Sequence, residues 1–494
     1  MSRLNKHNLT RGINYFMRNG LSKSVYKALE RIERDREEKD YDSIARESMV
    51  SEEEINRQKQ EEFAKSYKIS ILIPVYETEV SLLIETLESV ARQSYGNWEL
   101  CIADASKDSS RKGVIHDFCE EWNLRCTDKF GDIHSKVKYV FLDNNYGISG
   151  NSNEALKLVT GDYVALLDHD DTIEPDALYM FIKAVNINET QVKEGTLNLS
   201  RVYMAYTDED KVNKDNTRYF DLHKKPDFDP ILLLTNNYIC HLLFVDANLA
   251  RSVGGFHSEY DGAQDHDFIL RCSECLKKNQ IIHIPKVLYH WRSTESSTAE
   301  NPNAKLYAYE AGARAVEDHL KRMGIGAKVG QTEHLGFFRI NYASNSQDVC
   351  KMTQSQFEAL NEIQFELIRQ EYIMVLADNL KPTSKDYVDG MLSCMLHEGV
   401  GAVTGKIIAK NGTLESAGFD RKKGHKSEPR FKGLNRHFSG YMHRANLQQQ
   451  VTGYDRGCVL FRKKALKDIG MDIALYPEYS IYYEPGEVFK RKLL

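Results

Sequence analysis

The chain has 494 residues, 41% hydrophobic and 28% charged, a composition typical of globular proteins with more than one domain. Its net charge of −6 excludes the global basic field that would attract nucleic acid. Nine cysteines, an odd number without regular spacing, do not predict a disulfide framework, so we expect a reducing, cytoplasmic location.

The first 29 residues form a basic segment with six Lys or Arg, no Asp or Glu, and interleaved apolar side chains. Such a segment can lie on an anionic membrane surface, and the alternative is a solvated helix. No apolar run approaches the roughly 18–20 residues that span a bilayer. We expect residues 1–67 to be a helical extension, with peripheral contact of residues 1–29 at the inner face of the plasma membrane.

Strand and helix patterns alternate from residue 68 onward. Short apolar runs ending in polar turns predict strands, and apolar residues at helical spacing predict the helices between them. This alternation indicates an α/β domain with a mostly parallel sheet, in which ligands bind beyond the carboxyl ends of the strands. The predicted strands are 69–76, 98–104, 136–143 and 162–167, and the predicted helices are 80–94, 149–159 and 174–185.

Three carboxylates follow the fourth predicted strand in "DYVALLDHDD" (162–171). Residues i and i+2 of an extended segment face the same way, so Asp168 and Asp170 point into one space. Two hard carboxylates suit Mg²⁺ or Mn²⁺, which bind through carboxylates together with substrate phosphates. The alternative is a solvated acidic turn in which Asp171 caps the next helix.

Two further candidate binding positions lie at the same predicted edge of the sheet. Asp104 ends the second strand, where its carboxylate can accept a hydrogen bond from a nucleobase or a ribose, or serve as a turn residue. Gly147 precedes a helix whose first N–H groups suit phosphate, with a plain loop as the alternative.

Downstream, "GAQDHDFILR" (262–271) places Asp265 and Asp267 just before an apolar helical run. One of these acids can cap the helix, and the other can take a proton from a nucleophilic hydroxyl as a general base. "IIHIPKVLYHWR" (281–292) reads as two short strands split by a proline. His290 and Arg292 at its end offer a metal ligand and a phosphate partner.

An ordered set of segments resembles the family 2 glycosyltransferases, and most closely the rhamnosyltransferase-like enzymes of bacterial surface polysaccharide and O-antigen synthesis. The resemblance covers about residues 68–325, and each motif is loose alone while the ordered set is specific. The segments are "ISILIPVYE", "WELCIADASKD", "NNYGISGNSNEAL", "ALLDHDDTIEPDAL", "YTDEDK", "KPDFDPILLLTNNYICHLLFV", "GGFHSEYDGAQDHDFILR" and "VLYHWRSTESSTA".

This resemblance implies a GT-A fold and an inverting transfer from a nucleotide-diphospho-sugar to a hydroxyl of a glycan or polyprenyl-linked acceptor. It implies that Asp265 is the general base, and that Asp168 and Asp170 are the D-x-D that meets the ribose and the metal-bound diphosphate. Together with the reading of His290 above, this predicts Asp170 and His290 as ligands of Mg²⁺ or Mn²⁺. The donor is then assigned to Pro74, Tyr76, Glu77, Asp104, Asn144, Gly147, Asn153, Asp168, His169 and Arg292.

The chain also departs from the family pattern. Glu77 stands where the family usually has Asn, and Asp104 is the one acid at its turn, which puts the base contacts in doubt. The C-terminal residues contain an echo of the acidic segment, because "EYIMVLADNLKP" (371–382) matches "DYVALLDHDDTI" (162–173). Since Ala377, Asn379 and Leu380 replace the acids, we expect residues 326–494 to be a truncated, metal-incompetent second unit that lacks the first two strands.

Two other functions remain open from the residues. "LLDHDDT" also resembles the signature of haloacid-dehalogenase phosphohydrolases, although that strand normally comes first in its domain and here three strands precede it. A non-catalytic scaffold that binds sugar or a partner is the other alternative, above all for the C-terminal residues.

Overall fold

The structure is a computed structural model of the chain. It describes residues 6–108, 110–122, 124–127, 136–193, 201–293, 306–343, 348–397, 399–420, 427–471, 473 and 478–492. The end of the "VLYHWRSTESSTA" motif and the first five residues of the basic segment lie outside these ranges. None of the described helices is both long enough and apolar enough to cross a membrane.

The described helices and strands are numbered in chain order. The helices are α1 Lys6–Glu37, α2 Tyr41–Ser48, α3 Glu52–Gln58, α4 Val80–Ala91, α5 Ser110–Glu121, α6 Gly147–Lys157, α7 Ala177–Lys193, α8 Pro230–Thr235, α9 Ala247–Ser252, α10 Gln264–Glu274, α11 Leu306–Arg322, α12 Gln354–Glu358, α13 Glu362–Leu367, α14 Tyr387–Ser393 and α15 Lys463–Ile469. The strands are β1 Ile69–Val75, β2 Trp98–Asp104, β3 Cys126–Thr127, β4 Val137–Phe141, β5 Tyr163–Leu166, β6 Thr172–Ile173, β7 Met204–Asn213, β8 Tyr219–His223, β9 Leu243–Asp246, β10 Ile281–Ser293, β11 Ala327–Gln331, β12 Phe338–Tyr342, β13 Val349–Thr353, β14 Tyr372–Leu376, β15 Leu380–Pro382, β16 Val400–Ile408, β17 Leu414–Ala417, β18 Phe419–Asp420, β19 Glu428–Pro429, β20 Gln449–Val451, β21 Cys458–Arg462 and β22 Ser480–Arg491.

The chain divides into two compact units. The first unit contains residues 34–228 and 237–319, and the second contains residues 1–33, 229–236 and 320–494. These boundaries differ from the predicted ones, because residues 34–67 belong to the first unit and helix α8 belongs to the second. Helix α8 does so because Ile231 packs into the core of the second unit with residues of β14, β16 and β21.

The first unit is built on one mixed sheet with the strand order β3-β4-β2-β1-β5-β9-β7-β10-β6, and β8 pairs with β7. Strands β1 and β2 are buried along their whole length, as expected for parallel strands that are covered on both faces. Strand β9 runs antiparallel to both β5 and β7, so the parallel order ends there. The segment 281–293 is a single strand with a register shift next to Pro285, and the prediction of two strands was wrong.

The pairing of β5 with β9 positions the acidic loop. Leu166 at the end of β5 lies opposite Leu243 at the start of β9. Because the pair is antiparallel, residues that follow β5 meet residues that precede β9. Asp168 is therefore placed beside Cys240 and His241.

The second unit repeats part of this topology. Its main sheet has the order β13-β14-β21-β16-β22-β15, with β17 beside β16, and this order corresponds to β1-β5-β9-β7-β10-β6 with β8 beside β7. Each corresponding pair also has the same parallel or antiparallel sense. The duplication indicated by the sequence echo is present in the fold. The expected loss of two strands was wrong in one respect, since β13 takes the place of β1 and it is β2–β4 that have no counterpart among the described strands.

Candidate active site

The acidic loop after β5 is fixed to the neighbouring strand β10 by its last acid. Asp171 is buried, and its carboxylate accepts hydrogen bonds from the Tyr289 hydroxyl and, at 2.7 Å, from the Arg292 backbone N–H. Burial first, and then the charges of Asp170 and Asp168, raise the pKa of Asp171 well above its usual value. Asp171 thus anchors the loop and does not cap the following helix, while the side chain of Asp168 is 52% exposed.

His241 lies two residues before the start of β9 and faces this loop. Its Nε2 lies 3.7 Å from Asp168 Oδ2, and its Nδ1 lies 3.2 Å from Glu209 Oε2. The ring stacks on Tyr289 with centroids 4.5 Å apart, so both its plane and its position are fixed. Burial by itself would lower the pKa of His241, but Cys240 and Glu209 raise it well above 6.5.

Glu209 is the buried acid that orients His241. Its two carboxylate oxygens also contact His223 Nδ1 at 3.1 Å and Lys225 Nζ at 3.2 Å. Although burial opposes ionisation, the Lys225 charge and these hydrogen bonds hold the pKa of Glu209 well below its usual value. Glu209 therefore places a charged carboxylate next to Nδ1 of the His241 ring.

The side chains of Asp168, Asp171 and His241 bring one ligand atom each to within 4.8 Å of one another. Two carboxylates and an imidazole are a donor set that suits Mg²⁺ or Mn²⁺. A carboxylate behind the coordinating histidine, as Glu209 is here, is the usual means of orienting such a ligand. The residues present therefore fit a divalent cation.

Asp265, in the first turn of α10, lies on the other side of Cys240. Its Oδ2 accepts hydrogen bonds from Asn237 Nδ2 at 2.7 Å and from Cys240 Sγ at 3.7 Å. Partial burial and then nearby negative charges, Asp265 among them, raise the pKa of Asp168, so the two acids share one region.

The second acid of the same motif has a different role. Asp267 is buried and accepts from Arg271 Nε at 2.9 Å and from Arg271 Nη2 at 2.6 Å. This ion pair within α10 leaves Asp265 as the acid of the motif that faces the acidic loop.

His290 does not lie free to bind a metal, and this prediction is corrected. Its Nδ1 is 2.6 Å from Asp210 Oδ1 and its Nε2 is 2.9 Å from Glu174 Oε1. The two carboxylates raise the pKa of the buried ring, against the effect of burial, to about 9. Both ring nitrogens are engaged, so neither has a lone pair to offer.

Arg292 is also misassigned as a phosphate partner. Its side chain is fully buried, and its guanidinium donates to the carbonyl oxygens of Asp170 and Lys214, each at 2.6 Å, and to Glu85 Oε2 at 2.7 Å. The arginine holds the backbone of the acidic loop in place, and it acts on the site through that loop.

Asp104 and Glu77 join the ends of β1 and β2. Asp104 is buried and accepts hydrogen bonds from Ser106 N at 2.9 Å and from the Tyr139 hydroxyl at 3.0 Å. Glu77 accepts from Lys107 N at 2.9 Å. The structure thus gives Asp104 the turn role that the sequence left open, and the buried carboxylate of Asp104 is not available to a nucleobase.

The remaining predicted donor-binding residues fall into two groups. Pro74 is buried in β1, and the side-chain amide of Asn153 is used by both the N–H and the carbonyl of Phe256, so these two are structural. Tyr76, Asn144, Gly147 and His169 retain some exposed surface near the ends of the strands.

Sequence reasoning missed His241, Glu209 and Asn237. All three lie in segments that were recognised as motifs, "TNNYICH" and "YTDEDK", but no role was assigned to them. The available signal was positional, because a residue just before a strand that is antiparallel to β5 returns to the carboxyl end of β5. That signal requires the direction of β9, which the sequence pattern does not give.

Comparison with known proteins finds a family match for the part of the chain that contains the acidic loop. The profile of Glycosyl transferase family 2 matches residues 70–197, which contain β1–β6 and the acidic loop. The chain carries a family 2 glycosyltransferase domain. The mixed sheet of the first unit is accordingly that of a GT-A fold, and the second unit is a further α/β region.

Relatives of the transferase domain are found among proteins of polysaccharide synthesis. An uncharacterized protein of Sinorhizobium fredii, y4gI, is 42% identical over 255 residues, which are 51% of this chain and 25% of that protein. The O-antigen biosynthesis protein RfbC of Myxococcus xanthus is 30% identical over 262 residues, 53% of this chain and 18% of that protein. The chain thus spans a quarter or less of the length of these relatives. The crystal structure of TarS 1–349 of S. aureus in complex with UDP-GlcNAc aligns with 51% of this chain and 66% of that one, at 18% identity and a TM-score of 0.38.

Proposed function

We propose that the transferase domain moves a sugar from a nucleotide-diphospho-sugar to a hydroxyl of a glycan or lipid-linked acceptor, with inversion at the anomeric carbon. The observation that carries this proposal is the convergence of Asp168, His241 and Asp265 around Cys240 at the carboxyl edge of the sheet. An inverting transfer needs a group that neutralises the leaving diphosphate and a base for the incoming hydroxyl. The site offers residues for both.

Asp265 is the proposed general base. Asn237 donates to one oxygen of its carboxylate, while the other accepts no hydrogen bond from a described residue. That free oxygen takes the proton as the acceptor hydroxyl attacks the anomeric carbon, opposite the bond to the diphosphate. The C–O bond to the acceptor forms, the bond to the diphosphate breaks, and the proton stays on Asp265.

The proposed ligands of a divalent cation are Asp168, Asp171 and His241, with the predicted ligand Asp170 in the same loop and His241 in place of His290. Bound there, Mg²⁺ or Mn²⁺ would supply positive charge for the diphosphate of the donor. Glu209 keeps the His241 ring oriented. The exposed ring of Tyr76, at the end of β1, is our candidate surface for the nucleobase.

We propose that this activity contributes to bacterial cell-surface polysaccharide synthesis. Its support is the O-antigen biosynthesis protein among the relatives. We further propose a cytoplasmic location, which agrees with the odd number and irregular spacing of the nine cysteines.

Peripheral contact with the inner face of the plasma membrane is proposed for helix α1. Its side chains Ile13, Met17, Leu21, Val25 and Leu29 recur every four residues and are all exposed. Gly20, with a non-helical φ of 79° and ψ of 174°, interrupts α1, so this spacing forms an apolar stripe on each of the two helical segments. Because residues 1–29 carry basic and no acidic side chains, an anionic lipid surface matches both the stripes and their charge.

The test of the proposed activity is Asp265→Asn in the full chain, with Asp117→Asn as the matched control on the exposed face of α5. Nucleotide sugars are first screened with and without Mn²⁺ by thermal stabilisation, and transfer is then followed as release of the nucleoside diphosphate. The Asp265 variant should bind the donor like the wild type and lose roughly 10²–10⁴-fold in turnover. Equal turnover would remove Asp265 from the mechanism.

The same experiment separates the alternatives. A scaffold would bind a sugar or a partner without any turnover in the wild type. A phosphohydrolase would release phosphate from simple phosphomonoesters and form an aspartyl-phosphate at Asp168. If no nucleotide or nucleotide sugar stabilises the protein, the proposed transferase activity fails.

A further inference from the structure

The second unit contains a cavity at the carboxyl edge of its own sheet. The cavity has a volume of about 530 Å³, within the usual range for small-ligand sites. It is lined by residues that follow β14, precede β21 and end β22. These three positions correspond to the positions after β5, before β9 and at the end of β10, which form the candidate active site of the first unit.

Strand register makes this correspondence residue-specific. Tyr163 lies opposite Asp246 in the first unit, and Tyr372 lies opposite Arg462 in the second. Counting five residues on from each tyrosine gives Asp168 and Ala377. Counting five residues back from the opposite partners gives His241 and Gly457, and Ala377 N donates to Gly457 O at 2.8 Å.

The cavity therefore lacks the side chains proposed to hold a cation. Ala377 and Gly457 replace one carboxylate and the imidazole, and Leu380 stands where the first unit has Asp171. Between α15 and β22, no described helix takes the place of α10, which carries Asp265 in the first unit. The proposed cation ligands of the first unit thus have no counterparts at these positions, and its proposed general base has none among the described residues.

The lining of the cavity includes several planar polar side chains. Arg491 donates from Nη1 to Asn379 Oδ1 at 2.6 Å and from Nε to Glu415 Oε2 at 2.8 Å, which fixes the floor of the cavity. Arg456 and Asp378 are exposed at its rim. None of the described residues that line the cavity has an aromatic side chain on which a nucleobase could stack.

The charges of the lining also restrict the ligand. Two arginines, Arg456 and Arg491, are balanced by two carboxylates, Asp378 and Asp455. Guanidinium, amide and carboxylate groups together donate to and accept from vicinal hydroxyls, and an equal number of opposite charges does not favour an anion. A neutral, hydroxyl-rich ligand satisfies both conditions.

We infer that this cavity is a metal-independent binding site for a neutral saccharide, retained in a second transferase-like unit without catalytic residues. That the saccharide belongs to the acceptor glycan rests on the proposed function. The binding itself rests on the cavity, its position and its lining.

The test is saturation-transfer NMR on the full chain without metal. The probes are the methyl glycosides of glucose, galactose, mannose, rhamnose and N-acetylglucosamine, and their β-linked disaccharides. The test variant is Asp378→Ala with Arg456→Ala, two exposed side chains whose loss leaves the core intact. The matched control is Arg369→Ala, an exposed arginine of the same unit outside the cavity.

At least one saccharide should give a signal that falls more than fivefold in the double variant and persists in Arg369→Ala and in Asp168→Asn. No signal from any probe, or equal signals in the double variant, overturns the inference. A UDP signal that survives Asp168→Asn and is lost in the double variant would place a nucleotide in this site and also overturn it. Mn²⁺-dependent donor binding, measured in parallel, reports on the first unit, so failure of the transferase proposal is seen separately.

Discussion

Replacing His290 by Gln tests whether this histidine is an ion-pair partner or a metal ligand. The pKa of His290 stands at about 9 against a usual 6.5, because Asp210 and Glu174 hold the buried ring protonated. One pKa unit corresponds to about 1.4 kcal/mol, so this difference stabilises the folded state by about 3 kcal/mol. Since the folded pKa is raised, the stabilisation is complete below pH 6.5 and is lost as the pH rises through 9.

Urea unfolding at pH 6 and at pH 9.5 measures the effect. The three tryptophans, Trp98, Trp122 and Trp291, all belong to the first unit, so fluorescence follows the unit that contains His290. Between the two pH values the wild type should lose about 3 kcal/mol more of its unfolding free energy than His290→Gln. His116→Gln, on the exposed face of α5, should behave like the wild type.

The outcome that refutes this reasoning has two parts. Equal pH dependence in wild type and variant would show that the ring is not held protonated. If the variant also bound Mn²⁺ more weakly in the same conditions, the histidine would be a metal ligand, as the sequence first indicated.

Three further changes have defined outcomes. His241→Ala should lower the affinity for Mn²⁺ by about tenfold or more, measured by titrating Mn²⁺ against thermal stability. An unchanged titration would exclude this residue as a ligand. Gly147→Ala should cost at least about 1–2 kcal/mol in urea unfolding, because Gly147 has a φ of +77° and its added Cβ would lie 2.4 Å from Asp261 Oδ2. Met17→Glu should reduce co-sedimentation with phosphatidylglycerol vesicles, whereas Ile363→Glu, equally exposed at 74% against 76%, should not; equal loss in both would count against the α1 stripe.

The sequence predicted β1, β2, β4 and β5 of the first unit because each is a short apolar run that ends in a polar turn. It also placed Asp168 after the end of β5 and Asp265 at the start of α10, since strand and helix boundaries alone determine those positions. The direction of β9 could not be predicted, because a four-residue buried strand has the same composition in either direction. His241 was missed for that reason.

The errors at His290, Arg292 and Asp104 share another cause. Each lies where a functional side chain is expected, at or near the end of a strand, and each has a chemistry that suits the expected ligand. Whether such a group faces a substrate or a buried partner depends on residues far away in the sequence, such as Glu174 for His290 and Tyr139 for Asp104. Local sequence patterns contain no information about those partners.

The repeated strand order also separates what the fold needs from what the site needs. By the same register, the buried pair of Asp171 and Tyr289 in the first unit corresponds to Leu380 and Phe489 in the second. Both polar groups are absent together, and the two side chains that replace them belong to the buried apolar core of the second unit. Burying a polar pair costs desolvation energy that an apolar pair does not. The two sheets can therefore be compared like a wild type and a double mutant. The sheet of the first unit buries a polar pair that anchors the acidic loop, and the sheet of the second unit, which has no acidic loop, has apolar residues at both positions.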